Sequence, residues 1–370
     1  SMSHSLFYNN FYTHYTNRDD IPKSWIDENN LDEETFYKDS NIGLRSEIIL
    51  TKLSRWVMLL GLDLDLATSD VDLLNPIYDK PSQFSIGSFL QSKYSIGNGF
   101  NLSTGLRYDW RKTDPGGGFQ KKVFNNLTPK FILSYNQNKN KSFSLCYSEG
   151  FRAPSISELY LEHQTTYGLN VLGNNTLKAE TVKSFEITHG HKYSDQWEYN
   201  ISLFHNKYND MIDFVYNIPT KAANRSGVIA NGFEYSFSLQ PLSKFNFFIK
   251  GSYSYLDMND KDGTDILYRS KYSGNLSLQY SYNSLDLIFQ GNGKSKQLYE
   301  DFLEPFDSDS GFPVKVLPQI IIPDLIISKK TRLFNYKIKI ANIFNQKYEL
   351  IQNYTMPSRT YKITINKTIT

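Results

Sequence analysis

Hydrophobic and polar residues alternate one by one along most of this chain. Phe233, Tyr235, Phe237 and Leu239 interleave with Glu234, Ser236, Ser238 and Gln240, and Leu276, Leu278, Tyr280 and Tyr282 interleave with Asn275, Ser277, Gln279 and Ser281. Phe143, Leu145 and Tyr147 repeat the pattern, as do Trp56, Met58, Leu60, Leu62, Leu64 and Leu66, and Tyr361, Ile363 and Ile365 near the C-terminus. Successive side chains on a strand point to opposite faces, so each run has one apolar and one polar face. Helical spacing is almost missing. The chain reads as all-β.

The alternation predicts sixteen strands, at 4–17, 37–51, 55–71, 81–96, 99–112, 126–138, 141–152, 179–194, 196–216, 228–241, 245–259, 268–283, 285–299, 316–330, 336–353 and 358–369. Short turns at 52–54, 97–98, 138–140, 194–195, 242–244, 283–284 and 331–335 alternate with longer loops at 18–36, 72–80, 113–125, 153–178, 217–227, 260–267, 300–315 and 354–357. Strands of soluble sandwiches average about 5–6 residues, and these are far longer. Their polar faces are rich in Ser, Asn, Gln and Lys, as a wet lumen requires. Long strands with short turns at one end and long loops at the other predict a transmembrane, antiparallel, up-and-down β-barrel.

Composition sharpens this picture. The 27 Tyr and 25 Phe raise the aromatic share to 15%, and barrels place such residues in girdles at both membrane interfaces. Nothing approaches the run of about 20 apolar residues that a membrane helix needs. The 40 Lys and Arg against 38 Asp and Glu leave a net charge of +2, which supplies no electrostatic reason to expect nucleic acid. A single cysteine, Cys146, excludes a disulfide framework.

Candidate chemistry is sparse. No Gly-x-Ser-x-Gly elbow or His-Glu-x-x-His motif is present, so no enzyme is expected. His189 and His191 share one strand face but have no carboxylate or cysteine near them in sequence, and an incidental pair is favoured over a metal site. The acidic loop with Asp19, Asp20, Asp27, Glu28, Asp32, Glu33 and Glu34 matches no calcium spacing and reads as solvated. No intrinsic metal or cofactor is expected.

Four segments carry a family resemblance. Phe151-Arg152-Ala153-Pro154, followed by Glu158-Leu159-Tyr160, resembles the Phe-Arg-Ala-Pro box of TonB-dependent receptors. Gly173, Asn174, Leu177 and Glu180 lie in a stretch similar to that family's Gly-Asn-Pro-Asn-Leu-Lys-Pro-Glu box, with departures at Asn175, Thr176 and Ala179. Asn224 through Gly232 and Glu234 resembles the point where a loop re-enters a strand. Asn342, Phe344, Asn345 and Tyr348, then Arg359, look like its last two strands, with Asn342 and Asn345 placed within a strand.

The resemblance implies one barrel domain over residues 1–370, sixteen strands of an expected 22, and a bacterial outer-membrane location in contact with lipid. It also implies a plug domain, absent from these residues, through which the TonB complex would act. The function implied is uptake of a small-molecule metal chelate: a siderophore, haem or a cobalamin-like compound. Candidate ligand contacts are Arg152, Tyr160, His163, Tyr167, Tyr216, Tyr268 and Tyr299, from the long loops or the strand ends beside them. Haem-transporting members carry a His between the same two boxes, where His163 stands. A sixteen-stranded diffusion porin and a structural or adhesive barrel are the alternatives.

Overall fold

The structure, a computed structural model, describes residues 1–16, 34–71, 78–164, 170–215, 219–225, 227–242, 246–301, 304–307 and 311–367. Its first half contains β1 (Met2–Thr16), β2 (Glu34–Leu53), β3 (Trp56–Val71), β4 (Ser82–Gly97), β5 (Phe100–Asp114), β6 (Lys122–Asn138) and β7 (Lys141–Arg152). A short helix α1 (Ile156–Tyr160) follows, then β8 (Glu162–Gln164), β9 (Asn170–Leu172), β10 (Glu180–Ser194), β11 (Trp197–Asn209), β12 (Met211–Val215) and β13 (Thr220–Arg225). The chain continues through β14 (Val228–Leu242), β15 (Phe247–Asn259), β16 (Tyr272–Tyr282), β17 (Leu285–Lys294) and β18 (Gln297–Glu300). Last come β19 (Val314–Leu317), β20 (Ile320–Lys330), β21 (Phe334–Ala341) and β22 (Thr360–Lys367).

Sixteen of these strands form one sheet in the order β1-β2-β3-β4-β5-β6-β7-β10-β11-β14-β15-β16-β17-β20-β21-β22. Every neighbouring pair is antiparallel. The wall is the meander that the alternation predicts. Tight turns such as Gly97-Asn98-Gly99 and Asn283-Ser284 connect strands at one end, where Asn98, Asn283 and Ser284 take positive φ. The other end carries all the long connections.

Exposure identifies the faces. Leu60, Leu62, Leu66, Leu90, Leu127, Phe131, Leu145, Ile187 and Leu203 are exposed on the apolar side of the wall, the arrangement of a lipid-facing surface. His189 and His191 belong to this face. The His189 ring stacks on Phe143 at 4.2 Å, and the pair continues through Tyr193, Trp197, Tyr199 and Tyr235 into an aromatic belt at the turn end. His189 Nδ1 lies 3.1 Å from the Ser142 carbonyl and Nε2 lies 3.3 Å from the Tyr199 hydroxyl.

The polar face carries a charge ladder across four strands. Asp63 takes Arg45 on one side at 2.9 Å and Arg107 on the other at 2.9 Å, while Arg107 also grips Asp109 at 2.8 Å. Arg107 lies over the Phe89 ring, 5.6 Å from its centroid. The Phe89 ring itself covers Gly61, where a Cβ would come within 2.0 Å of it. Aromatic cover of a cross-strand glycine and alternating charges both fix register, because a one-residue slip would move every one of these groups to the other face.

Several strand ends depart from the sequence expectation, among them the start of 316–330, where the wall strand begins only at Ile320, and that of 126–138, which begins earlier, at Lys122. The strand expected at 196–216 breaks at Asp210, which has φ 52°, and its continuation β12 leaves the wall. The wall part of 285–299 stops at Lys294, and β18 pairs instead with β19. The strand expected at 268–283 begins at Tyr272. The strand expected at 336–353 ends at Ala341, so Asn342, Phe344, Asn345 and Tyr348 lie in a loop rather than within a strand. Where the wall strand is the shorter, alternation persists beyond the wall, and the local pattern carries no mark of where the sheet ends. The acidic residues 19–33 lie outside the described residues.

Gly232 sits where a neighbouring strand's backbone approaches closely. A Cβ there would lie 2.2 Å from the Tyr255 carbonyl oxygen and 2.5 Å from Phe204 Cζ. Gly232→Ala should destabilise the sheet by about 1–3 kcal/mol, read as a lower midpoint of heat-modified migration in SDS. Gly293→Ala, whose nearest neighbour stands at 3.6 Å, should leave that midpoint unchanged.

Candidate functional site

A buried hydrophobic cluster lies in the layer of connections at the loop end. Ile156, Leu159, Tyr160, Leu177, Ile212 and Ala222 pack together, with Tyr78 and Phe214 against them. Its centre is α1. Ser155 caps the helix by accepting from the Glu158 amide at 3.2 Å, and the Glu158 carboxylate accepts in return from the Ser155 amide at 2.8 Å. This reciprocal box stabilises a one-turn helix that propensity alone would not hold.

Arg152, at the top of β7, fastens this layer to the wall. Its guanidinium donates to both Glu158 oxygens at 2.8 and 3.0 Å and to Glu180 at 3.0 Å. Glu180 also accepts from the Ile212 amide at 2.9 Å, tying β10 to β12. The planar fork suits two carboxylates at once, as a lysine would not. Phe151 pairs with Thr181 below it, and Pro154, fully buried, ends the β7 ladder and presents its carbonyl to Gln83 at 2.8 Å.

The second box holds the return of the chain. Gly173 passes so close to α1 that a Cβ would fall 2.6 Å from the Tyr160 nitrogen. Asn174 accepts from the Thr176 amide at 2.9 Å and donates to the Ala222 carbonyl at 3.0 Å. Asn224 donates to the carbonyls of Lys178 and Asp210 and accepts from the Lys178 amide. These amides join the loop to a four-stranded sheet, β12-β13-β9-β8, that the alternation did not reveal. Glu234 lies on the polar face of β14, opposite Ser202 and Ser254.

A matching knot closes the C-terminal side. Asn342 is buried and accepts from the Gln346 amide at 2.9 Å, donates to the Gln346 carbonyl at 2.8 Å, and gives its own amide to Asp324 at 3.0 Å. Asn345 accepts from the Arg359 amide at 2.9 Å, and the Tyr348 carbonyl accepts from Met356 at 2.9 Å. Both asparagines have φ 52°, a conformation Asn tolerates better than most residues. Phe344 is exposed.

The expected ligand contacts fall into three groups. Tyr160 is buried in the core with its ring 4.5 Å from Tyr78, and Arg152 is engaged by carboxylates. Tyr268 and Tyr299 approach to 6.4 Å, and the Tyr268 amide donates to the Leu298 carbonyl at 2.8 Å. The backbone of His163 pairs with Val171 in the small sheet; its side chain, and Tyr167 and Tyr216 entirely, lie outside the described residues.

Residues not singled out from sequence link the remaining connections. Asp301 receives Lys315 at 2.6 Å and is hydrogen-bonded by Gln352, and Gln297 donates to the Leu350 carbonyl at 2.8 Å. Burial pushes the Glu300 carboxyl above its usual range, with the Arg225 charge pulling it back and that of Asp213 adding to the rise. The connection that contains β18 therefore reaches both the β12–β13 hairpin and the loop before β22. Below the layer, the lumenal wall holds a cavity of about 770 Å³ lined by Arg45, Asp63, Phe89, Arg107 and Lys130.

Two substitutions test this reading. Asn342→Ala removes the side-chain bonds of a buried amide at a strained backbone position and should cost about 2 kcal/mol, measured by urea unfolding in detergent. Arg152→Gln should leave the wall intact but speed cleavage within 153–180 by proteinase K several-fold, because the loop loses its anchor.

The chain matches the family described as TonB dependent receptor-like, beta-barrel, over residues 1–312. It is 32% identical over 97 residues to haemoglobin-binding protein A of Haemophilus influenzae, covering 26% of this chain and 10% of that protein. Among solved structures it is similar to the FrpB iron transporter of Neisseria meningitidis, at 16% identity and TM-score 0.74 over 97% of this chain and 59% of that one. The siderophore receptor PirA of Acinetobacter baumannii gives 14% identity and TM-score 0.76 over 98% and 59% of the two chains. A mutant of the ferric enterobactin receptor of Pseudomonas aeruginosa in complex with enterobactin gives 15% and 0.76 over 98% and 59%. The chain thus spans about 59% of those structures' length. With a meandering sixteen-stranded wall, tied loops and a family match over most of its length, this chain belongs to the TonB-dependent receptor-like β-barrel family of the bacterial outer membrane.

Proposed function

We propose that this chain is the larger part of the barrel of an outer-membrane receptor for a scarce metal chelate, energised through TonB by way of a plug domain outside these residues. The observation that carries the reading is the state of the two sheet edges. A sixteen-stranded diffusion porin pairs its first strand with its last, whereas here β1 pairs only with β2 and β22 only with β21 among the described residues. Leu6, Tyr8, Phe11 and Tyr12 of β1 stand exposed, as do Tyr361, Ile363 and Ile365 of β22. Open edges inside a bilayer leave backbone groups without partners, at several kcal/mol each. Further strands of a larger wall would supply them.

Iron chelates are the favoured cargo. An iron transporter, siderophore receptors and a haemoglobin-binding protein stand among the named relatives. A fastened, aromatic-rich outer layer above a charged lumen suits capture of a bulky ligand through ring area and a few polar contacts. Tyr268 and Tyr299 remain contact candidates. So do His163, Tyr167 and Tyr216. We assign Arg152 to holding the loop that carries His163 and Tyr167. Haem is the second reading, favoured by His163 on β8 of the small sheet, where an imidazole would ligate iron axially.

The test is growth of a deletion strain under iron restriction with ferric siderophores, haem, haemoglobin or cobalamin supplied singly. Loss of growth on one iron source, restored by the intact gene, is the expected result. Undiminished growth on all of them would sink the proposal. Haem binding by the intact receptor that is unaltered by His163→Ala would remove the haem reading alone.

A further inference from the structure

At the turn end of the wall, the apolar side of β7, β10 and β11 carries basic groups with no acid beside them. Lys141 of β7 stands directly opposite His191 of β10, and His191 directly opposite Tyr199 of β11. By alternation they share the face of Phe143, Leu145, Ile187 and Leu203, all of which are exposed. Lys141 lies one step beyond Phe143 toward the turn, where the apolar rows end and lipid headgroups begin. His189 lies one step deeper, stacked on Phe143.

The ionisable groups that act on His191 are those of Lys141 and His189, and no carboxylate is among them. Among the described residues the Lys141 ammonium has no ion pair and the His191 ring no hydrogen-bond partner. The acids nearest in sequence are engaged elsewhere: Asp195 holds Lys192 at 2.6 Å, and Glu198 lies opposite Lys192 on the lumenal side. Tyr193 stands edge-on to His191 at 5.5 Å and lies 5.2 Å from Trp197, whose indole N–H has no acceptor among the described residues. At the other end of the same strands, the opposed Lys183 and Lys207 have Glu149 within 3.7 Å of Lys183. The turn-end pair has no such acid. Opposed cations repel, and at a low-dielectric surface each gains most from an anion beside it.

We infer that Lys141 and His191 hold the phosphate of one glycerophospholipid in the leaflet at the turn end. The ammonium and one imidazole N–H would donate to phosphate oxygens, and even a neutral imidazole keeps one N–H for this. Tyr193 and Trp197 would flank the headgroup, each with a polar tip above an apolar ring. The acyl chains would lie along Phe143, Leu145 and Ile187. Charge and face together choose the occupant. The pair needs an anion, and the exposed apolar rows below it suit an anion that carries hydrocarbon chains.

Lysine acylation by an amine-reactive ester, mapped by peptide mass spectrometry on the full-length receptor in dodecyl maltoside, tests the assignment. Dioleoylphosphatidylglycerol should slow labelling of Lys141 about fivefold. Dioleoylglycerol, with the same chains and no phosphate, should leave that rate unchanged, as should inorganic phosphate. His191→Gln should raise the phosphatidylglycerol concentration needed for half-protection about threefold. Lys192, next in sequence to His191 but on the lumenal side, should label at one rate throughout. The inference is overturned by no protection of Lys141, by equal protection from dioleoylglycerol or inorganic phosphate, or by unaltered protection in His191→Gln. Growth on iron sources plays no part in this readout, so the uptake reading and this site stand or fall separately.

Discussion

The wall of this protein answers to one constraint: within hydrocarbon, every backbone N–H and C=O must find a partner in the protein. A β-strand meets it only through its neighbours, so no strand of the sheet is stable alone. The consequence is a meander of long antiparallel ladders, five of which shift register only at the turn end. It also makes the two outer edges the most consequential feature of the sheet. Among the described residues β1 and β22 each pair on one side only, and the uptake reading rests on what would complete them.

Above the membrane the constraint relaxes, and a different kind of order takes over. There the backbone groups released from the ladder are caught by side chains. Asn174, Asn224, Asn342 and Asn345 hold backbone groups across breaks in pairing, and Arg152 joins two carboxylates from the two ends of the β7–β10 connection. A buried apolar cluster forms in this layer, around α1. A soluble domain would bury such a cluster against its sheet. The lipid face needs no partner, and the lumenal face is polar.

The strand count and the division into short turns and long loops were legible because alternation is a local property. The same locality explains where the reading overran. Residues 210–216, 295–299 and 342–353 keep a strand-like pattern, yet Asp210 and Asn342 reverse the local backbone, and Lys294 is the last wall residue before β18. Asn342 and Asn345, expected within a strand, lie in the loop that follows β21. A Ser155-x-x-Glu158 capping box stood in the sequence, and only its brevity hid a one-turn helix. The tie of Asp301 to Lys315 and Gln352 had no signal, because its members lie far apart along the chain.

By itself, then, the sequence determined that the chain makes long two-faced strands, in what order, and with which face to lipid, since these follow from the period of side chains along a strand. It also marked the family boxes. Only tertiary structure decided what those boxes do, that Arg152 and Asn342 secure loops, and that Tyr160 lies buried in the loop layer. Such facts depend on segments distant in sequence meeting in space. No local pattern encodes that meeting.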